Sequence, residues 1–371
     1  MKLHYDLPLI GVTFFLICWG TIMVYSTSAV YADLRYHESS YFLQKHLLHL
    51  LIGIAGLVLA SSLNYRQWQR LSPWLLLGML ILLILVLIPG IGIELKGGRR
   101  WIRFADFGIQ PSELLKIVLI IYVASYLERK QAVLSSFFRG LTPNFIVTSI
   151  YLFLVLLQPD FGTAVLIALT VLMMLYVGGG RPSHLFGSLI GLGLIGSLLI
   201  ATHAYRVRRI LAFLDPWEDP QNSGFQIIQS FIALGTGGWF GRGLGESRQK
   251  ALFLPDAHTD FIYAIIGEEL GFFWVCVLIA LFALFIWRGY WIAWHIPDIF
   301  GKYLAFGATT LLSLQITLNL SVVTGLLPTK GLPLPFISYG GTSLVTSLFL
   351  TGILLNISSH IIEYAPPPKP D

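Results

Sequence analysis

Long apolar runs separated by short polar gaps decide what this chain can fold into. Ten runs are read, over 8–31, 46–63, 74–93, 111–127, 144–159, 162–178, 184–202, 261–287, 302–325 and 339–358. Crossing about 30 Å of hydrocarbon takes roughly 20 apolar residues of helix. Lipid offers no partner to backbone N–H and C=O groups, so each span must be helical. The reading is an all-α polytopic membrane protein with about ten transmembrane helices. A single integral membrane domain occupies residues 1–371, with a large outer loop at 203–260 and a short disordered tail over about 364–371.

Composition bears on this in one respect. Only 12% of the residues are charged, where a soluble domain carries about a quarter. The net charge of +5 is spread between the runs and forms no nucleic-acid patch. Cys18 and Cys276 both lie inside apolar runs and show neither disulfide nor metal spacing. Ser28 to Ala32 resembles a signal-cleavage site, but the run before it is too long for a signal peptide, so an uncleaved first span is expected.

An even span count puts both termini on one side. Cytoplasmic loops carry the excess of Lys and Arg, which makes that side cytoplasmic. Arg66, Arg70, Arg129, Lys130, Arg139, Arg181, Arg288 and Lys302 then fall inside, with Lys2 and Lys369 at the ends. Three outer segments hold only Arg35, Lys45 and Lys330. Two outer loops break the pattern. Residues 94–110 carry Lys96, Arg99, Arg100 and Arg103, and residues 203–260 carry Arg206, Arg208, Arg209, Arg242, Arg248 and Lys250. Long loops cross regardless of charge, but 94–110 is short. Guanidinium groups bind phosphate oxygens as a bidentate fork, so as a group these residues favour a diphosphate headgroup over plain contacts to anionic lipid.

The 203–260 loop holds further signals. Phe225 to Leu234 reads as a helix lying in the interface. The glycine-rich run Gly235 to Gly245 is either a flexible loop or a backbone nest for phosphate. It lacks the Gly-Lys-Ser/Thr ending of a nucleotide-binding loop. His258-Thr259-Asp260 ends the loop directly before the eighth span. Partial desolvation at that depth raises a carboxyl pKa toward the general-base range, while a helix N-terminus pushes it down. The structural alternative is that Asp260 or Thr259 caps the helix.

Glu113 and Lys116 share a face of the fourth span. They read either as a structural salt bridge or as a headgroup contact, and spacing does not choose. One of Glu268 and Glu269 is expected to face an internal polar cavity. Asp160 is a turn residue with cation binding as the alternative, and His46 and His49 are interfacial. Gly187 and Gly191 signal close helix packing.

Seven runs resemble one family. They are Met23 to Ala32, Gly98-Arg-Arg-Trp-Ile102, Gln110-Pro-Ser-Glu113, Gln158-Pro-Asp-Phe-Gly-Thr163, His258-Thr-Asp-Phe261, Gly267-Glu-Glu-Leu-Gly271 and Pro328 to Thr342. In this order they resemble the SEDS proteins of shape, elongation, division and sporulation. The Met23 start and the Pro328-Thr-Lys-Gly331 run lean toward the division member over the elongation member. Ala105 before Asp106 stands where the family pattern suggests Gly.

The resemblance implies a ten-span glycosyltransferase of the bacterial cytoplasmic membrane, placed at the division septum. It would polymerise lipid II into peptidoglycan at the outer face, with the growing chain held on undecaprenyl diphosphate. Asp260 takes the place of the family's essential aspartate, Trp101 that of its tryptophan after paired basic residues, and Glu113 and Lys116 those of its fourth-span pair. His258, Thr259 and Asp160 fall in matched runs and join them as candidate substrate contacts. Implied partners are a class B penicillin-binding protein, a transpeptidase, and other division proteins. A divalent cation, Mg or Mn, is a candidate cofactor.

The residues suit that chemistry. A sugar hydroxyl needs a base, for which Asp260 is the best-placed carboxylate. A departing diphosphate needs positive charge, which Arg99, Arg100, Arg103, Arg208, Arg209 and Lys116 are candidates to supply. A flippase for lipid-linked precursor, and a scaffold that only recruits partners, remain as alternatives.

Overall fold

The computed structural model describes residues 5–95, 98–104, 107–201, 204–250 and 253–361. Each of the ten apolar runs falls on one helix: α1 (Leu7–Tyr36), α2 (Tyr41–Ser62), α3 (Tyr65–Leu87), α4 (Pro111–Lys130), α5 (Thr142–Leu157), α6 (Phe161–Val177), α7 (Pro182–Ala201), α10 (Ile262–His295), α11 (Ile299–Val323) and α12 (Gly341–Ile361). Two more, α8 (Ala204–Leu214) and α9 (Phe225–Thr236), lie within the large loop. Among the described residues eight helices are long and apolar enough to cross a membrane, and α4 and α6 are not among them. The α6 helix has 17 residues, and α4 includes Glu113, Lys116 and Glu128.

α4 is a central helix, buried on every side from Leu115 to Leu127. A helix that is apolar all round belongs inside a bundle. It packs against α3, α6, α11 and α12, while α12 packs along α2. Close approach there depends on small residues: a Cβ on Gly352 would lie 2.4 Å from the Leu57 carbonyl oxygen.

Several expectations are corrected. The 94–110 segment is a sheet rather than a loop. Strands β1 (Gly92–Leu95), β2 (Gly98–Phe104) and β3 (Phe107–Ile109) pair antiparallel in chain order, with Ile93 opposite Trp101 and Ile102 opposite Ile109. Ile93, Trp101 and Ile109 are apolar or aromatic side chains too widely spaced for their pairing to show before the chain is folded. The third helix ends at Leu87, not at 93, because the chain turns at Pro89-Gly90. It begins earlier than expected, with Asn64 accepting from Arg66 N. Gly187 and Gly191 meet nothing among the described residues within 4 Å of a Cβ position. Thus α7 is not closely packed through that pair, and Leu185 is its one buried residue. The tail, Lys96 and Ala105-Asp106 lie outside the described residues.

At one end of the bundle the helix termini are tied by polar contacts. Arg288 donates to Asp6, and Arg66 to Asp298. Asn356 accepts from Tyr65 N and donates to the Ser61 carbonyl. The other end gathers the α1–α2 turn, the sheet, the α5–α6 turn, the large loop and the 324–340 connection. Gly20 on α1 lies under that last connection: a Cβ there would be 2.3 Å from Phe336 O and 2.7 Å from Ile337 Cα. Both are backbone atoms and have nowhere to move. Gly20→Ala is expected to destabilise the folded protein by about 1–3 kcal/mol, read as a lowered melting temperature in detergent. An unchanged melting temperature would show that α1 does not seat against this connection.

Candidate active site

α10 leaves helical geometry partway along its length, and the break is closed by hydrogen bonds to another segment. α10 is interrupted at Gly271, with φ 83° and ψ −179°, a conformation only glycine adopts readily. Beside it, Arg242 N and Gly243 N donate to the carbonyls of Glu268 and Glu269, and Phe272 N and Phe273 N donate to those of Gly238 and Trp239. In the glycine-rich run the amides of Gly241, Arg242 and Gly243 are thus engaged by the run itself and by the α10 backbone, and its glycines do not line the cavity described below.

Glu268 and Glu269 hold the same loop, and neither faces an open cavity. Glu268 accepts from Ser247 Oγ and the amides of Arg248 and Gln249. Glu269 accepts from Ser26 Oγ and from Lys250 Nζ at 2.8 Å. Both carboxylates are buried, and Arg242 adds an ion pair to Glu268 at 3.7 Å, so each carboxylate is compensated by direct partners.

The loop then enters a tight turn. Asp256 has φ 56°, and its carbonyl accepts from Thr259 N and Thr259 Oγ1. His258 packs among Tyr31, Phe42 and Tyr339, with ring centroids at 5.7, 4.8 and 5.8 Å. Its carbonyl takes Tyr339 N, and that of Thr259 takes Ser338 Oγ. The N-cap position of α10 is Phe261, whose side chain makes no capping hydrogen bond.

Asp260 reaches a cavity of about 300 Å³ between the α5–α6 turn, the ends of α7 and α8, and the 328–331 segment. Three other sets of charged groups share its wall: Asp160 and Asp256, Arg100 and Arg209, and Lys330. Arg100 is held by the carbonyls of Gln158 and Pro159 at 2.8 and 2.7 Å. Arg209 donates to the Thr329 carbonyl at 2.9 Å. Lys330 lies over the Phe161 ring at 5.2 Å, and burial holds its ammonium below the usual lysine range. Asp160 N-caps α6 through Thr163 N and accepts from Gln110 Nε2 at 3.0 Å and Ser112 Oγ at 2.9 Å.

The remaining candidates stand apart from this wall. Arg99, Arg103 and Arg208 do not line the cavity; Arg99 is 3.6 Å from Glu94, and Arg103 and Arg208 are exposed. Trp101 packs over Gly108, where a Cβ would meet its ring at 3.2 Å. Lys116 is fully buried, with Glu113 Oε1 at 2.7 Å and Gln315 Oε1 at 3.0 Å. His46 is buried, and His49 Nδ1 contacts its own helix at Lys45 O. Among the described residues no three of His, Cys, Asp and Glu converge as a metal site.

Sequence reasoning passed over Asp256, counted Lys330 only as a loop charge, and did not see Asn319 or Gln315. The Pro328 to Thr342 run was the available signal for Lys330. Gly331 follows it, and a Cβ there would stand 3.0 Å from Asp260 Oδ2. Gly331→Ala is expected to push the carboxylate aside and lower turnover by about tenfold or more, with little change in melting temperature. Turnover equal to wild type would mean that the carboxylate does not work from this position.

Residues 7–362 match the family model of FtsW, RodA and SpoVE, described as cell cycle proteins. A probable peptidoglycan glycosyltransferase FtsW of Geobacter metallireducens is 48% identical over 358 residues, covering 96% of each chain. Stage V sporulation protein E of Bacillus subtilis is 45% identical, covering 96% of this chain and 97% of that one. A chain from a peptidoglycan synthase complex that coordinates polymerisation and crosslinking superposes with a TM-score of 0.80 at 29% identity, covering 98% and 100%. RodA of Thermus thermophilus gives a TM-score of 0.73 at 26% identity, covering 97% and 98%. The chain belongs to the FtsW/RodA/SpoVE family.

Proposed function

We propose that this protein is a peptidoglycan glycosyltransferase that polymerises lipid II at the outer face of the bacterial cytoplasmic membrane, in septal wall synthesis, with Asp260 as general base. The observation that carries this reading is one cavity wall holding the Asp260 carboxylate together with Arg100, Arg209 and Lys330. The charge pattern supports the orientation. Arg66, Arg129, Lys130, Arg139, Arg181, Arg288 and Lys302 all belong to the end opposite the cavity, as the rule for cytoplasmic loops requires.

The reaction is a displacement at an anomeric carbon. The acceptor sugar hydroxyl gives its proton to Asp260 as its oxygen forms the new glycosidic bond. The donor's bond from that carbon to the diphosphate oxygen breaks, and the diphosphate leaves with the electron pair. Arg100, Arg209 and Lys330 face the charge that develops there, in a partly water-excluded site where fixed cations act strongly. A diphosphate is already a good leaving group, so one carboxylate suffices, unlike the flanking pair of a glycosidase. Ile200 and Ile210 give the cavity an apolar edge beside the sparsely packed α7, a route for a polyprenyl tail. Arg99, Arg103 and Arg208 would meet the headgroup as it approaches. Lys116 is engaged by Glu113 and Gln315 and is left out of the headgroup site. No step is routed through a metal ion. A class B penicillin-binding protein and other division proteins are the partners that this role calls for.

Asp260→Asn is expected to abolish glycan synthesis from lipid II by purified protein in detergent, with expression and monodispersity unchanged. Polymer formed at a normal rate would remove Asp260 as the base. Polymer from wild type without a second compartment also separates an enzyme from a flippase.

Lys330 makes the pH dependence informative. Its folded pKa is lowered, so the protonated form that serves the diphosphate is lost as pH rises through a value below that of an ordinary lysine. The alkaline limb of kcat/KM is expected to begin there and to move to higher pH in Lys330→Arg. An identical limb in that variant would exclude Lys330 from the reaction.

A further inference from the structure

Two carboxamides reach the reacting end from inside the bundle. Gln315 and Asn319 are one turn apart on α11, on one face, and are 1% and 2% exposed. Asn319 Nδ2 donates to the Asp260 carbonyl at 2.8 Å and to the Leu332 carbonyl at 2.7 Å. Gln315 Nε2 donates to the next carbonyl, Pro333, at 2.9 Å and to Ser343 Oγ at 3.2 Å. Gln315 Oε1 accepts from Lys116 Nζ, which is paired with Glu113. The 329–333 segment is thus gripped at successive carbonyls, and one amide nitrogen ties it to Asp260.

That nitrogen controls a catalytic distance. Gly331, just before Leu332, lies against the Asp260 carboxylate, and Lys330 before it lines the same cavity. The other ties between the two segments hold the carbonyls of His258 and Thr259; the one from Asn319 holds Asp260 itself. An amide suits the place because it offers two N–H donors without charge. The buried Asn319 Oδ1 has no hydrogen-bond partner. Leaving a buried acceptor unpaired destabilises a fold, so the polar contribution of Asn319 lies in its two donors.

We propose that Asn319 is a positioning residue for glycosyl transfer, setting Asp260 against Lys330, and that Gln315 links the Glu113–Lys116 pair to the same segment. This rests on Asp260 being the base. A buried polar pair of this kind acts on the rate through the placement of others, and it leaves the substrate surface of the cavity intact.

The test is steady-state glycan synthesis from lipid II by the purified full-length chain, with melting temperatures measured in parallel. Asn319→Asp keeps the shape and removes both donors, and Asn319→Ser keeps one donor. Asn144→Leu alters an equally buried amide on α5, away from the site, and serves as the control. Asn319→Asp is expected to lower kcat about 100-fold, the scale of a displacement near 1 Å, with KM within threefold of wild type. Asn319→Ser should fall between. Asn144→Leu should keep kcat within threefold. Wild-type kcat in Asn319→Asp, a change confined to KM, or loss of activity only in step with loss of folded protein would overturn the proposal. So would failure of both Asn319 variants to fold, which would assign the residue to structure. An active Asp260→Ala would instead overturn the base assignment, so the two failures are distinguishable.

Discussion

Hydrocarbon gives no partner to a broken helix, and this chain breaks its helices only where another segment supplies the missing hydrogen bonds. The interruption of α10 at Gly271 is matched by the amides and carbonyls of residues 238–243. The irregular 324–340 connection is matched by Asn319 and Gln315. Both repairs fall at one end of the bundle, and the second borders the cavity through residues 328–331. The need to satisfy the backbone and the placing of the chemistry are the same structural fact.

Charge follows a similar division. Where an ionised group is fully enclosed it has a direct partner, as in Glu113–Lys116 and Glu269–Lys250. Breaking such a pair leaves a buried charge uncompensated and costs about 3–5 kcal/mol. Arg100 and Lys330 are arranged otherwise. Their contacts are to backbone carbonyls and a ring face, which orient a cation without neutralising it. The proposed site for a leaving diphosphate calls for cations held in this way.

The packing of the bundle is uneven in a way that suits a lipid substrate. α4, α11 and α12 form an enclosed centre, while α7 has a single buried residue, and Gly187, Gly191 and Gly193 meet nothing among the described residues. A rigid centre holds Asp260, and the lightly packed side of the cavity ends at Ile200. An amphiphile with a sugar head and a long apolar tail matches that asymmetry.

The apolar runs alone determined that the chain is a helical membrane bundle, because the length of hydrocarbon and the lack of water leave no other option. Asp260, Arg100 and Arg209 were also legible, since charges beside a span are costly and so stand out. Other features depended on folding. The three-stranded sheet rests on pairings between strands that carry no strong pattern. The glycine run looked like a phosphate loop until its amides were found engaged by α10. Lys116 had two readings, and only the folded chain shows that it is buried against Glu113 and Gln315. Asn319 and Gln315 are uncharged amides in an apolar helix, and nothing local marks them. Their role comes from which carbonyls lie opposite, and only the tertiary structure decides that, because the partners are brought together from segments remote in the chain.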